Sequence, residues 1–375
     1  MRCIYLDYNA STPIDPAVAA AMQPLLEDHF GNPSSGHWAA AGAKATLEEA
    51  RRQVAALLCA ENDEIIFTSG GSEANNLALK GVAWSLKSRG DHIIISAVEH
   101  PAIVGPCRFL QQLGFDVSVA PVDRLGRIDP DDVRKAIRPR TVLISIMHAN
   151  NEVGTIQPIA EVSRIAREHD IFLHTDAAQS VGKIVTDVNA LGVDLLSIAG
   201  HKVYAPKGVG ALYVRRGTPL EPLIHGAGHE GGRRAGTESA LLAVGLGKAC
   251  ELARDLASME GVRALRDQFW RGLQATFGDR VVLNGHLHHR LPNTLNVSFV
   301  GRLGAEVLAR LNGVAASTGS ACHAGHVELS PVLRAMGVAP EVGLGAIRFS
   351  LGRGSTREEI DTVADQLASI LAPAA

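Results

Sequence analysis

The sequence predicts an α/β protein built on a mostly parallel sheet with helices on both faces. Short apolar segments rich in β-branched residues alternate with longer helical segments from about residue 64 to residue 169. This alternation is typical of parallel sheets because each parallel strand pair needs a long crossover connection. Charged residues at two strand ends, and a glycine-rich turn before a helix, indicate a ligand site at the carboxyl edge of that sheet.

Local signals place the elements in order. A short strand at 4–6 precedes Asp15 and Pro16, the N-cap and first residue of a helix that continues to about Phe30. A second helix ends near Cys59, which we expect in the core because a free cysteine behaves as a small hydrophobe. The second helix covers 39–58, and further helices are predicted at 102–113, 131–137, 159–169 and 303–311. Strands are predicted at 64–68, 92–96, 116–120, 142–146, 171–176, 193–198 and 292–299.

Length and composition exclude several classes of protein. The 375 residues are 46% hydrophobic and 20% charged, which allows a large core and two domains. A formal net charge of −3 gives no reason to expect a nucleic acid or a membrane as partner. No apolar segment approaches the roughly 20 residues that span a bilayer. Five cysteines without framework-like spacing, and no signal peptide, predict a cytoplasmic protein.

A glycine-rich turn at residues 69–75, with the sequence SGGSEAN, predicts an anion site. Glycines such as Gly71 let the backbone approach a ligand, and the N-terminus of the following helix supplies unpaired N–H groups. Ser72 is also a candidate N-cap of that helix. We expect Ser72 to serve both as a cap and as a phosphate ligand.

An acid and an amine follow two neighbouring apolar strands. Asp176 ends the first strand, and Gly200-His201-Lys202 follows the second. This pair fits pyridoxal 5'-phosphate (PLP), with a lysine Schiff base and an acid beside the pyridinium nitrogen. Isolated Asp and Lys residues are more often solvated surface groups, so the assignment depends on the surrounding motifs.

Those motifs resemble the NifS- and IscS-like cysteine desulfurases, PLP enzymes of fold type I. The resemblance covers nearly the whole chain, in the family's order and spacing. Its motifs are IYLDYNASTPIDPAV at 4–18, HTDAAQS at 174–180, GHK at 200–202, PKGVGALYVR at 206–215 and IRFSLGRGSTREEI at 347–360.

The resemblance implies an aspartate-aminotransferase-like fold. A large PLP-binding domain over residues 15–255 would hold a mostly parallel seven-stranded sheet. Residues 1–14 and 256–375 would form a smaller α+β domain that carries the catalytic cysteine. A helical tract from Gly236, interrupted near Gly261, would contain the boundary.

The resemblance also implies roles around the cofactor. Lys202 would form the Schiff base, Asp176 would face the ring nitrogen, and His100 would stack on the ring and carry protons. Thr237 would reach the phosphate of the other subunit, which implies a homodimer with shared sites. The remaining implied cofactor ligands are Gly71, Ser72 and His201 at the phosphate side and Asn151 and Gln179 at the phenolic oxygen.

A second chemical centre is predicted in the segment ASTGSACHAGH at 316–326. Small and polar residues there indicate a mobile loop, so Cys322 is expected to be more accessible than Cys59, Cys107 or Cys250. By resemblance, Cys322 is the sulfur acceptor. Arg348 would grip the substrate carboxylate beside Asn151, because a guanidinium fork binds a carboxylate with two hydrogen bonds.

The implied reaction converts L-cysteine to L-alanine and leaves a persulfide on Cys322. An acceptor protein, either an iron–sulfur scaffold or a tRNA-thiolation relay, would then take the sulfur. Selenocysteine lyase is the main alternative. Ala199 stands at a position where the desulfurases often have Ser, and the residue at this position is likewise apolar in the selenocysteine lyases that the chain resembles. Cys322 and its loop argue against a different C–S lyase or an aminotransferase. The pair of Lys202 and Asp176 argues against a sulfur-relay scaffold without turnover.

Two further motifs do not change this prediction. Residues 226–231 match G-x-G-x-x-G, but no strand–turn–helix context surrounds them, so a dinucleotide site is rejected. His286, His288 and His289 lack paired cysteine or carboxylate ligands, so no metal site is predicted.

Overall fold

The computed structural model describes residues 3–318, 322–323 and 326–372 of the chain. Strands and helices alternate through its first two thirds. In chain order they are β1 (Ile4–Tyr5), α1 (Pro16–Glu27), α2 (Trp38–Leu58), β2 (Ile65–Thr68), α3 (Gly71–Ser85), β3 (His92–Ser96), α4 (Pro101–Gln112), β4 (Asp116–Ala120), α5 (Pro130–Ala136), β5 (Thr141–Ser145), α6 (Ile159–Glu168), β6 (Phe172–Asp176), α7 (Val188–Leu191), β7 (Leu195–Ala199), β8 (Gly210–Val214) and α8 (Ala240–Ala253).

The last third contains a long helix, short strands and a C-terminal helix. These elements are α9 (Ala257–Phe277), β9 (Val281–Asn284), β10 (Thr294–Phe299), α10 (Gly304–Arg310), β11 (Val314–Ala315), β12 (Cys322–His323), β13 (His326–Val327), α11 (Pro331–Ala335), α12 (Pro340–Gly343), β14 (Ala346–Ser350) and α13 (Arg357–Ile370).

Seven strands form one sheet in the order β2-β8-β7-β6-β5-β3-β4. The pairs among β3, β4, β5, β6 and β7 are parallel, whereas β8 is antiparallel to both of its neighbours. The predicted mostly parallel seven-stranded sheet is therefore confirmed. Strand β8, whose five residues follow the PKGV turn, was not predicted from the sequence.

Each face of this sheet has its own core. Ile94 belongs to a cluster with residues of α1, α2, α6 and α8, whereas Ile93 and Ile95 belong to a cluster with α3 and α4. Successive side chains of a strand point to opposite faces, so these alternating residues require helices on both sides. Six of the seven strands are buried along nearly their whole length, which explains their continuous apolar sequences, whereas the edge strand β4 is largely exposed.

A smaller antiparallel sheet, β14-β10-β9, organises the last third of the chain. Phe349 of β14 packs edge-on against Phe269 of α9, with ring centroids 5.2 Å apart. The N-terminal strand joins this part because β1 pairs in parallel with β11. Ile4 and Leu6 consequently share a core with Phe349.

Two local predictions are wrong. Cys59 is exposed, because it caps the C-terminus of α2 in a left-handed conformation with φ of 56° and the apolar face ends at Leu58. The helical tract breaks between Arg254 and Leu256 and not near Gly261, which lies on an exposed side of α9. A glycine on an exposed helix face weakens the helix by only about 1 kcal/mol, so it need not end one.

Among the described residues, no helix has the length and apolar character to span a membrane. The same part of the chain holds no group of three or more His, Cys, Asp or Glu side chains placed to bind a metal ion.

Candidate active site

A cavity of about 490 Å³ lies at the carboxyl ends of the central strands. Parallel strands end at a common edge, and their polar end residues converge there. Eight of the predicted site residues line this cavity: Gly71, Ser72, His100, Asn151, Asp176, Gln179, His201 and Lys202.

Lys202 lies in a single helical turn, Gly200–Lys202, that directly follows β7. Its Nζ donates a hydrogen bond to the backbone carbonyl of Asn9. Burial, assisted by the nearby Arg348, lowers the pKa of Lys202 to about 8, although Asp176 and Asp7 oppose the shift. An appreciable fraction of neutral amine near neutral pH suits a lysine that attacks a carbonyl group.

Asp176 ends β6 with both carboxylate oxygens hydrogen-bonded. Its Oδ1 accepts from the backbone N–H of Ala178 at 2.9 Å, and its Oδ2 accepts from Asn75 Nδ2 at 2.7 Å. The carboxylate is buried yet lines the cavity. This arrangement suits a buried acid that faces a cationic ring nitrogen.

The turn before α3 differs from the predicted cap. Gly70 is the N-cap, with φ of 149° that residues with side chains rarely adopt, and Ser72 is the second residue of the helix. The prediction that Ser72 caps α3 is therefore wrong. Ser72 borders the cavity at the positive end of a 15-residue helix, where an anion is stabilised.

Gly71 and Ala199 approach each other closely at this end of the cavity. A Cβ atom added to Gly71 would lie 3.1 Å from the Cβ atom of Ala199. His201 lies nearby, and burial, together with Lys202, Lys207 and Lys183, lowers its pKa to about 4. A neutral imidazole and small neighbours leave room and a hydrogen-bond donor for an anionic group.

His100 is the N-cap of α4. Its Nδ1 accepts a hydrogen bond from the backbone N–H of Ala102 at 3.1 Å, so in the neutral ring the proton is on Nε2. Burial lowers the pKa of His100; Asp176 raises it and Lys202 lowers it further. A neutral imidazole at the cavity can stack on a ring and exchange a proton through Nε2.

Arg348 lies beside the cavity. Its Nη1 donates to the backbone carbonyl of Asn151 at 2.9 Å, and its Nη2 donates to Asp7 Oδ1 at 2.7 Å. Asn151 itself lines the cavity, so this residue alone lies between the buried guanidinium and the cavity. The predicted substrate arginine is thus held in place by a carboxylate and a carbonyl.

Thr237 does not line this cavity, and the side chain of Cys322 lies outside the described residues. Thr237 is exposed and borders a second cavity of about 190 Å³, whose lining shares Ser69, Gly208 and Val209 with the first. The backbone of Cys322 lies in β12, which pairs with β13, but its side chain is outside the described groups, as are parts of the predicted mobile loop at 316–326.

The remaining described cysteines differ from one another in accessibility. Cys107 and Cys250 are buried, and burial raises the pKa of each to about 12. Cys3 and Cys59 are exposed, and burial of part of its surface with the nearby Asp187 raises the pKa of Cys59. A thiol with a raised pKa holds little nucleophilic thiolate.

Sequence reasoning missed Asn9, Asp7 and Asn75. The fully buried Asn9 receives Gln179 Nε2 at 3.0 Å on its carbonyl, and its Nδ2 donates to the Asn151 carbonyl at 3.2 Å. These residues lie inside the motifs YLDYNAS and SGGSEAN, but a motif does not reveal partners that are 100 or more positions away. The signal that could have marked these three residues as site residues was their position inside those motifs.

Comparisons with known proteins agree with this geometry. The family described as Aminotransferase class-V matches residues 4–363, so the chain belongs to that family of enzymes. A relative named cysteine desulfurase IscS, from Dictyoglomus turgidum, is 51% identical over 374 residues, which are 99% of this chain and 95% of that protein. Within the class-V aminotransferases the chain belongs to the cysteine desulfurases, and the predicted family is confirmed.

Solved structures agree. One named NifS-like protein superposes with a TM-score of 0.92 at 37% identity and covers 98% of this chain and 99% of its own. Another, SspA in complex with cysteine, has a TM-score of 0.84 at 40% identity and covers 94% of this chain and 100% of its own. The predicted fold class is confirmed.

Proposed function

We propose that the chain is a PLP-dependent cysteine desulfurase that converts L-cysteine to L-alanine and transfers the sulfur to Cys322. One observation carries this proposal: Lys202, Asp176 and His100 converge in a single cavity at the carboxyl ends of β3, β6 and β7. The presence of all three groups argues against a scaffold without turnover.

The residues present fit PLP. Ser72, His201 and the first turn of α3 would hold the phosphate, with Gly71 giving the space, and Asp176 would face the ring nitrogen. Gln179 would contact the phenolic oxygen together with Asn151. Gln179 Oε1 is buried without a hydrogen-bond partner among the described residues, which is a sign of a group made for a ligand.

When bound, PLP would supply an electron sink that allows the substrate Cα proton to leave. Lys202 Nζ and His100 Nε2 are the protein groups that would take and return protons. Arg348 would bind the substrate carboxylate and so fix which bond faces those groups. Burial of the amine and the imidazole keeps both partly or wholly neutral, as proton acceptors must be.

Sulfur transfer would balance without an outside oxidant. The Cys322 thiolate forms a bond to the substrate sulfur while the bond from that sulfur to Cβ breaks. The former Cβ gains a proton, so cysteine and one thiol give alanine and one persulfide. A second thiol, on an iron–sulfur scaffold or a tRNA-thiolation relay, would then take the outer sulfur.

Three further features belong to this proposal. The active form would be a homodimer in which Thr237 reaches the cofactor phosphate of the neighbouring subunit. Residues 15–255 would form the cofactor domain, and residues 1–14 with 256–375 would form the domain that brings Cys322 to it. The few free cysteines fit a reducing cytoplasm as the place of action.

Kinetics with two substrates test the proposal. The purified protein should be yellow and should release alanine from L-cysteine in the presence of a reductant. Cys322→Ala should keep the bound cofactor but lose nearly all sulfide release from cysteine, because the nucleophile is gone. Normal cysteine desulfuration by this variant, or turnover of selenocysteine alone by the native protein, would contradict the proposal.

A further inference from the structure

We propose that Asn75 is a positioning residue that fixes the Asp176 carboxylate toward the ring nitrogen of the cofactor and thereby makes the site select a protonated nitrogen. The inference rests on the proposed function, because it takes PLP as the ligand. It adds a residue that the family motifs do not assign.

The contact between Asn75 and Asp176 is short and shielded from solvent. Asn75 Nδ2 lies 2.7 Å from Asp176 Oδ2, and the two residues are 1% and 6% exposed. Among the described groups, the only other donor to this carboxylate is the backbone N–H of Ala178. A buried carboxylate needs such donors to stay ionised, so Asn75 supplies half of the hydrogen bonds that the protein gives it.

The orientation of the amide is determined by charge. Asn75 Oδ1 is buried and has no partner among the described residues, whereas Nδ2 faces the carboxylate. Turning the amide over would place a carbonyl oxygen against a carboxylate oxygen, which is repulsive. The nearby Glu99 is engaged elsewhere, because its Oε1 accepts from Ser96 Oγ at 2.6 Å and from Met147 N at 2.9 Å.

Placement on α3 links the two ends of the cofactor. Ser72 and Asn75 are three positions apart, which puts them on one face of the helix. The same helix turn would therefore contact the phosphate through Ser72 and orient Asp176 through Asn75. Fixing both from one rigid element sets the distance between phosphate site and ring-nitrogen site.

Asn76 provides a matched control. It is the neighbouring asparagine on the same helix, but it is only half-buried and its Nδ2 donates to the Ser72 carbonyl at 2.9 Å within the helix. Asn75→Ala and Asn76→Ala remove the same atoms from adjacent positions. Asn75→Leu gives a second variant that keeps the volume and removes the donor, in case the alanine variant folds poorly.

The experiment compares two ligands for the apoprotein of each variant. One is PLP, and the other is its 1-deaza analogue, in which a C–H group replaces the ring nitrogen. Dissociation constants follow from equilibrium dialysis, without any turnover. The native protein should prefer PLP, and each Asn75 variant should reduce that preference roughly tenfold or more, the loss expected for a hydrogen bond to a charged group.

The Asn76→Ala variant shows whether a change in ligand preference is specific to Asn75. Asn76→Ala should leave the preference unchanged, and the Asn75 variants should bind the deaza analogue as the native protein does. Equal weakening of both ligands by Asn75→Ala and Asn75→Leu, or an unchanged preference, would overturn the inference. A native protein that binds no PLP would instead overturn the proposed function.

Discussion

Lys202 shares its surroundings with two other cationic side chains, Lys183 and Arg348. Lys183 is buried behind the cavity, where its Nζ donates to the Gln179 carbonyl at 2.9 Å. Burial, with Lys202 and Arg348, lowers its pKa to about 7. The pKa values of both lysines therefore lie far below the usual lysine range, because each amine is desolvated and is repelled by the neighbouring cations.

Competitive labelling of the apoprotein tests this electrostatic description. Labelling of Lys202 by a small amine-reactive reagent should rise with pH through a midpoint of about 8, because the neutral amine is the reactive form. Exposed lysines such as Lys87 are the internal reference. A Lys202 midpoint near the ordinary lysine value of about 10.4 would contradict the lowered pKa.

The residues that sequence reasoning found and missed differ in the range of their signals. Lys202 and Asp176 stand at strand ends inside contiguous motifs, so local sequence marks them. Asn75 acquires its role only through a partner 101 positions away, and Asn9 through one 193 positions away. Such pairings depend on how strands are ordered in the sheet, which local patterns do not encode.

At the scale of elements, the chain that carries Cys322 is fastened on both sides. Ser317 exchanges two backbone hydrogen bonds with Arg348, at 3.2 and 2.7 Å. Ser330 caps α11, accepting from Val332 N at 3.1 Å, and its hydroxyl also donates to Glu152 Oε2. Both attachments lead to groups at the cavity, since Glu152 follows Asn151. Burial raises the pKa of Glu152, although Ser330 and Arg348 oppose the shift.

Ser330→Ala should therefore affect both stability and sulfur transfer. Loss of the cap should lower the free energy of unfolding by about 1 kcal/mol, and the half-buried Glu152 would lose its hydroxyl donor. We also expect slower persulfide formation on Cys322. Urea denaturation and single-turnover kinetics measure the two effects.

Thr356→Ala is the matched control, since Thr356 caps α13 by accepting from Glu359 N at 3.3 Å, in another part of the chain. It should cost similar stability without slowing sulfur transfer. If Ser330→Ala and Thr356→Ala slow transfer equally, the attachment at Ser330 has no special role.

At the scale of the whole molecule, the proposed dimer would complete the site. Thr237 is exposed in the single chain and lies away from the cavity that its own Lys202 lines. Two large apolar side chains are also exposed, Phe30 in the connection between α1 and α2 at 76% and Trp38 at the start of α2 at 85%. These two side chains are the most exposed of the large apolar residues in the described part of the chain, and a covering subunit would remove them from water.

Mixed dimers test the sharing of sites. Lys202→Ala and Thr237→Arg should each abolish turnover alone. A dimer with one subunit of each kind keeps one site with an intact Lys202 and an intact Thr237, so mixing should restore activity at one site per dimer. No recovery after subunit exchange, shown by native mass spectrometry, would contradict the shared site.

The architecture was largely predictable from the sequence. Alternating strands and helices indicated the parallel sheet, and the strand ends indicated the cavity edge. Strand β8 was not predicted, and its antiparallel direction could not be, because its five residues are buried like those of the parallel strands and direction leaves no mark on a fully apolar strand. The break between α8 and α9 was predicted at the wrong place. Gly261 was treated as the helix breaker, whereas the stronger signal is Asp255, whose side chain accepts a hydrogen bond from Ala257 N at the start of α9.

The central claim is that sulfur from L-cysteine reaches Cys322. The most direct measurement is peptide mass mapping of the cofactor-loaded native protein after a short exposure to L-cysteine, with and without a reductant. One additional sulfur atom should appear on the peptide that contains Cys322 and disappear with the reductant. Extra sulfur on Cys3, Cys59, Cys107 or Cys250 instead, or alanine formed with no sulfur on Cys322, would contradict the mechanism.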